Sequence, residues 1–238
     1  MSFEPTYGIL PCMTHQAQPR ERKPPTYADY GNNYFVTLYG EAPQQTLIDR
    51  GRDWLIRRLV AKYASGGRLL EIGCGFGYLL SSFSRAAPAQ WQLHGTDISA
   101  HAAAVAQRRL PHAAIVAADI QQGIPFSGQF DALIAVNVLE HLPAPATAAN
   151  AIAAAIRPGG IVVAHLPTIS SQLSGWIYAR TYESDPTHVY RPSGEAFNQL
   201  FAQAGFRMLE ARYCPFWPAA LWNWLKPHPA YLAVFERL

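Results

Sequence analysis

The 238-residue chain is half hydrophobic and only 15% charged, enough apolar content for a packed core that needs no disulfide or metal to hold it. Nineteen basic against sixteen acidic residues leave a net charge of +3, too small to mark a nucleic-acid-binding surface, and no run approaches the ~20 apolar residues that cross a bilayer. Cys12, Cys74 and Cys214 show neither disulfide nor metal spacing and read as reduced thiols of a cytoplasmic protein, while Pro5, Pro11 and His15 interrupt any leader-like apolar run.

Residues 1–26 are rich in proline and polar groups and predict an arm without its own core. Tyr27, Tyr30, Tyr34, Phe35 and Tyr39 follow, so residues 1–43 are expected to form an arm and a tyrosine-rich cover on a main domain spanning 44–238. Gln44 to Tyr63 places Leu47, Trp54, Leu55 and Leu59 at helical spacing, and Ser65-Gly66-Gly67 ends that helix.

From Arg68 short apolar runs alternate with helical segments. LLEI, WQLHGTD, AAIVAAD, FDALIAVN and GIVVAHL predict parallel strands covered on both faces, because alternation with polar residues is missing. Ser99 and Ser193 suit N-caps, and Pro158-Gly159-Gly160 is expected to end the helix before GIVVAHL. Residues 167–192 show no clean period, and FRMLEARY and AYLAVFERL predict two closing strands around a tryptophan-rich stretch. The segments near 167–192 and 214–230 are therefore expected to be cover insertions.

The sharpest signal is LLEIGCGFG, a strand running into Gly73-x-Gly75-x-Gly77 with a helix directly after it. Glycines there let the backbone turn tightly and approach a ligand. Asp97 closes the next strand, where a carboxylate accepts hydrogen bonds from ribose hydroxyls. The spacing departs from the G-x-G-x-x-G of dinucleotide sites, and Glu71 before the loop would repel a pyrophosphate. A cofactor carrying an ammonium and a sulfonium gains from the same carboxylates, which favours it over NAD.

These motifs resemble those of class I S-adenosylmethionine-dependent methyltransferases, specifically the bacterial small-molecule type. LLEIGCGFG resembles their first motif, GTDIS their second, and AADIQQGIPF, FDALIAVNVLEHL and IRPGG the segments beyond, covering roughly residues 44 to 210. The resemblance implies a Rossmann-like, seven-stranded, mostly parallel sheet with helices on both faces and an aromatic-rich substrate cover. It further implies S-adenosyl-L-methionine as cofactor: Gly73, Cys74, Gly75 and Gly77 around the methionine end, Glu71 at its ammonium and Asp97 at the ribose. Asp119 falls near the adenine amino group, Ile98 and Ile120 flank the ring, and Asn137 and Tyr34 lie beside the cofactor.

Methyl transfer to a hydroxyl calls for a base, and histidine is the natural one near neutral pH. His141 follows the fourth strand in VLEHL, at the sheet edge where ligands bind. His188 lies in SDPTHVYRPS, which resembles a D-x-T-H stretch of the same family, with Asp185 or Glu183 placed to orient it. The histidines are too dispersed along the chain to indicate a metal. The expected acceptor is a small organic molecule, a hydroxyl on a sugar, aromatic or natural-product scaffold, held by aromatic faces. Nucleic acid is disfavoured because no N/D-P-P-aromatic motif follows Asn137. The tryptophans of 216–224 leave room for weak contact with a membrane surface. A non-catalytic methyltransferase-like subunit, or transfer to nitrogen or carbon, is the alternative.

Overall fold

The computed structural model describes residues 45–87, 89–213, 219–226 and 228–238. The arm with Tyr34, and Trp217 with its neighbours in the tryptophan-rich stretch, lie outside the described residues.

Helix α1 (Leu47–Tyr63) opens on a capping box in which Thr46 and Asp49 satisfy each other's backbone amides. Its buried face is Asp53, Leu55, Ile56, Leu59 and Val60; Leu47 and Trp54, expected at the core, are exposed instead. β1 (Gly67–Ile72) leads through the glycine loop into α2 (Tyr78–Ala86), and β2 (Trp91–Asp97) into α3 (Ala100–Arg109), whose N-cap is Ser99 as expected. β3 (Ala114–Ala117) is short and mostly exposed. The two-sided cover expected of every strand fails at this edge, where only β2 pairs with it.

β4 (Phe130–Val136), α4 (Pro145–Ala155) and β5 (Ile156–Pro167) continue the alternation. Helix α4 ends before Pro158-Gly159-Gly160, so those residues do not stop it. They make an excursion inside β5, where the pairing with β4 jumps from Phe130↔Ile156 to Ala132↔Ile161. α5 (Gln172–Thr181) occupies part of the stretch that shows no sequence period. Its buried positions are Ser174 and Tyr178, while Leu173 and Trp176 face outward, so no apolar stripe announces it. α6 (Gly194–Gln203) with its Ser193 cap, β6 (Phe206–Tyr213), α7 (Ala219–Leu225) and β7 (Ala230–Arg237) complete the chain.

The sheet runs β3-β2-β1-β4-β5-β7-β6, parallel except for β7, which is antiparallel to both neighbours. Consecutive strand residues go to opposite layers. Leu70, Ile72, Leu133 and Phe235 pack with Phe197 and Phe201 of α6 on one face. Leu69, Ile134, Val163 and Val234 pack with Ile56, Val60 and Phe83 on the other. Burial on both faces is why these strands read as unbroken apolar runs. Strand order reverses direction at β1, so the loops after β1 and β4 part and leave a crevice at the carboxyl edge.

The far end of α1 is tied to β6 through Glu210, which accepts from Lys62 Nζ (2.8 Å) and Tyr63 Oη (3.0 Å) and also pairs with Arg212. Burial works against ionising Glu210, but these donors outweigh it and hold the carboxyl at about 2, below its ordinary 4.5. A lowered folded-state value contributes stability above the ordinary value that disappears as pH falls toward the folded one. Glu210→Gln should therefore be less stable than the parent at pH 7, with the gap closing between about pH 4.5 and 2. Urea midpoints measured across that range check it.

Candidate active site

The carboxyl edge of the sheet opens into a cavity of about 510 Å³. Glu71, Gly73, Cys74, Gly75, Asp97, Ile98, Asp119, Ile120, Asn137, His141 and His188 all line it, so the structure gathers these expected site residues in one place. Gly77 is the exception. It is buried at the N-terminus of α2 with φ 74°, and an added Cβ would stand 3.0 Å from Ala106, so it serves helix packing instead of ligand contact. Gly75 has φ 51° and open space where a Cβ would be, which leaves the loop backbone accessible.

Asp97 orders this loop. Its Oδ2 accepts the Gly75 amide (2.8 Å) and its Oδ1 the Ser99 amide (2.9 Å), so the carboxylate joins the turn after β1 to the turn after β2. Burial raises its pKa, against the pull of both amides. Each oxygen keeps a further lone pair for a hydroxyl in the cavity. Asp119 caps the short turn Ile120–Gln122 through Oδ1 (2.9 Å to Gln121 N), with Ile120 buried behind it.

Sequence reasoning missed Asp53 and Arg52, which α1 delivers to the same corner. Asp53 is buried and accepts from Gln45 Nε2 (2.6 Å). A charged residue on the apolar face of an otherwise amphipathic helix was the available signal. Glu71 lies beside them with Oε2 lacking a partner, as do the buried Thr96 Oγ1 and Arg52 Nε. Burial pushes Glu71 well above the usual carboxylate range, and the charges of Asp53 and Asp97 add to it. Three carboxylates and several unmatched buried polar atoms make a corner that a cationic, hydroxyl-bearing ligand would satisfy and an anionic one would not.

The opposite end is built by the short turn Leu139–His141 and the segment after α5. Val189 and Tyr190 donate their amides to the Glu140 carbonyl (3.0 and 2.9 Å), which brings His188 against His141 with ring centroids 4.8 Å apart. Thr187 Oγ1 donates to Asp185 Oδ1 (2.5 Å), so the same oxygen accepts from His141 Nδ1 (2.8 Å). That assigns the proton of a neutral His141 to Nδ1 and leaves Nε2 as the basic nitrogen. Burial lowers the His141 pKa, which keeps the ring neutral.

Asp185 was expected to orient His188. Asp185 Oδ2 does stand 3.7 Å from His188 Nε2, an ion-pair distance, while its hydrogen bonds go to Thr187 and through it to His141, and His188 Nδ1 meets Tyr178 Oη at 3.1 Å. Glu183 pairs with Arg191 (3.1 Å). The dispersal of the histidines along the sequence ends in space: ligand atoms of Glu140, His141 and His188 all lie within 4.8 Å of one another. Glu140, which the sequence reading overlooked beside its histidine neighbour, is 1% exposed with neither carboxylate oxygen hydrogen-bonded, and burial raises its pKa to about 8.

Fold and cavity together define a Rossmann-like α/β protein with an acidic ligand corner at its glycine loop and a histidine pair across from it. A family model described as a methyltransferase domain matches residues 48–211, and the chain belongs to that family. The ubiquinone biosynthesis O-methyltransferase of Erwinia tasmaniensis is 28% identical over 132 residues, 53% of this chain and 51% of that protein. Its counterpart in Aromatoleum aromaticum is 28% identical over 176 residues, 70% and 69% of the two chains. The chain spans about half the length of most of the curated relatives it matches. The N-methyltransferase NodS of Bradyrhizobium japonicum, solved with S-adenosyl-L-homocysteine, shares the fold. Its TM-score is 0.62 at 20% identity, covering 83% of this chain and 92% of that one. Among the described residues no helix is long and apolar enough to cross a membrane.

Asp97 and Glu71 should respond oppositely to neutralisation. Asp97→Ala leaves two amides without their acceptor and should cost about 1–3 kcal/mol in urea unfolding. Glu71→Gln removes a crowded, buried acidic group, one of whose oxygens lacks a partner, and should leave the empty protein as stable as the parent, or more so.

Proposed function

We propose that the chain is an S-adenosylmethionine-dependent methyltransferase that methylates a hydroxyl of a small organic acceptor on a sugar, aromatic or natural-product scaffold. The observation that carries the reading is one cavity with an acidic corner at the glycine loop and an oriented, neutral imidazole at the other end. When bound, the cofactor supplies an activated methyl group on a sulfonium. Glu71 and Asp53 would hold its ammonium, Asp97 its ribose hydroxyls, and Ile98, Ile120 and Asp119 its adenine. Tyr34 remains a cofactor contact by family likeness alone.

The acceptor hydroxyl would lie between the methyl group and His141. His141 Nε2 would take the hydroxyl proton as the oxygen receives the methyl group that the bound cofactor would supply. Thr187 and Asp185 fix the ring for that transfer, and His188 packs edge-on against it and completes the wall. The names of the curated relatives support oxygen as the receiving atom. A binding subunit without turnover is the alternative: it would bind S-adenosylhomocysteine yet methylate no member of a hydroxyl, amine and activated-carbon panel.

His141→Gln should lower kcat by about 10²-fold or more while S-adenosylhomocysteine binds as before, measured by turnover and by calorimetry. Unchanged turnover would remove His141 from the chemistry.

The unpartnered carboxylate of Glu140 favours a second reading, in which Glu140, His141 and His188 hold a divalent cation that binds the acceptor oxygen. Dialysis against a chelator separates the two. Activity lost and then restored by zinc, manganese or magnesium selects the cation, and activity indifferent to the chelator selects the imidazole.

A further inference from the structure

Behind the cavity wall, His165 on β5 is buried and takes no part in the chemistry above. It stands in register with Val136, so it borders the residue that follows β4, Asn137. Two hydrogen bonds join the pair: the Asn137 amide donates to the His165 carbonyl (2.8 Å), and His165 Nδ1 meets Asn137 Oδ1 at 2.8 Å. Burial, reinforced by the charges of Arg52 and His228, lowers the imidazole to about 3, so it is neutral under all ordinary conditions. A neutral ring facing an amide oxygen, which only accepts, carries its proton on Nδ1.

This bond fixes the Asn137 side chain, with the oxygen turned to the wall and the NH2 group left for other partners. Asn137 also holds φ 52°, the left-handed conformation that is costly for a residue with a side chain and least so for asparagine. It is exposed and lines the cavity, whereas His165 does not. The surrounding corner is rich in acceptors, from Glu71, Asp53 and Asp97. Its side-chain donors are Arg52, whose Nε is buried without a partner and whose charge reaches both Glu71 and His165, the buried Thr96 hydroxyl, Gln45, which is engaged by Asp53, and the Asn137 NH2 group. An amino-acid end has one group that needs donors, its carboxylate.

We propose that His165 is a positioning residue, which holds the Asn137 amide so that its NH2 group donates to the carboxylate at the methionine end of the cofactor. The proposal rests on the cofactor reading above. It explains a non-glycine residue kept in a left-handed conformation at the end of β4, with a histidine buried behind it.

Calorimetry with two ligands tests it: S-adenosylhomocysteine, and 5′-methylthioadenosine, which keeps the nucleoside and thioether but lacks the amino-acid end. His165→Phe should weaken the first about tenfold and leave the second within about twofold. His165→Asn, whose side-chain NH2 takes the place of the Nδ1 donor, should restore the first to within about threefold of the parent. Asn137→Ala, assayed well below its melting temperature because φ 52° disfavours alanine, should reproduce the selective loss. The double variant should bind no worse than Asn137→Ala alone, since the two residues act as a unit.

Equal weakening of both ligands by His165→Phe would make it a packing residue and overturn the proposal. So would unchanged binding of both, or normal S-adenosylhomocysteine binding by Asn137→Ala. Failure of the parent protein to bind either ligand would sink the cofactor reading itself, which separates that failure from this one.

Discussion

The carboxylate of Asp97 sits almost fully buried between two chain reversals and accepts a backbone amide from each, Gly75 on one side and Ser99 on the other. Burying a carboxylate is costly, and two amide donors offset that cost only while both loops stay in place. The glycine loop is therefore shaped by the strand beside it as well as by its own residues. Gly75 keeps its open face because its amide is already engaged, and α3 starts where Ser99 is held. Everything at the carboxyl edge is built outward from this link: Glu71 beneath the loop, Asp119 beyond the next strand, and Asn137 across the divide between β1 and β4.

The sheet and the gathering of the glycine loop with its acidic neighbours were legible because the physics behind them is local or periodic. A strand buried on both faces needs consecutive apolar residues, and LLEI, FDALIAV and GIVVAHL have them. A tight turn needs glycine, and the carboxylate that ties it down, Asp97, stands at the end of the next strand. The edge strand Ala114–Ala117 was read correctly as a strand and wrongly as covered, since alanines report neither burial nor exposure. Helix α5 stayed invisible for a related reason. Its inward face is a serine and a tyrosine, held by capping hydrogen bonds between Ser171 and Ser174 in place of an apolar stripe.

The acceptor end was legible only as a set of residue types. His141 and His188 are 47 positions apart, and what joins them is a pair of backbone amides donating to the Glu140 carbonyl, an interaction with no side-chain signature. Asp185 does reach His188, as expected, but its hydrogen bonds go to Thr187, because a D-x-T-H spacing does not say that the threonine would share the carboxylate. Asp53 and Arg52 come from a helix nearly 20 residues before Glu71, and only folding puts them in the same corner.

Charge divides the cavity in two, and the division has a direction. At the glycine loop Asp53, Glu71 and Asp97 crowd one another, so a positively charged ligand relieves a repulsion that the empty protein carries. At the far end burial raises Glu140 to about 8 and lowers His141, so both are driven toward their neutral forms, while Asp185 stays ionised behind Thr187. The two ends also hang on different parts of the fold. The acidic corner belongs to the sheet and α1, whereas the histidine end is closed by a segment tied down through Ser170, Ser171, Thr187 and backbone amides. Substitutions in that segment can reshape the histidine end of the cavity without passing through Asp97.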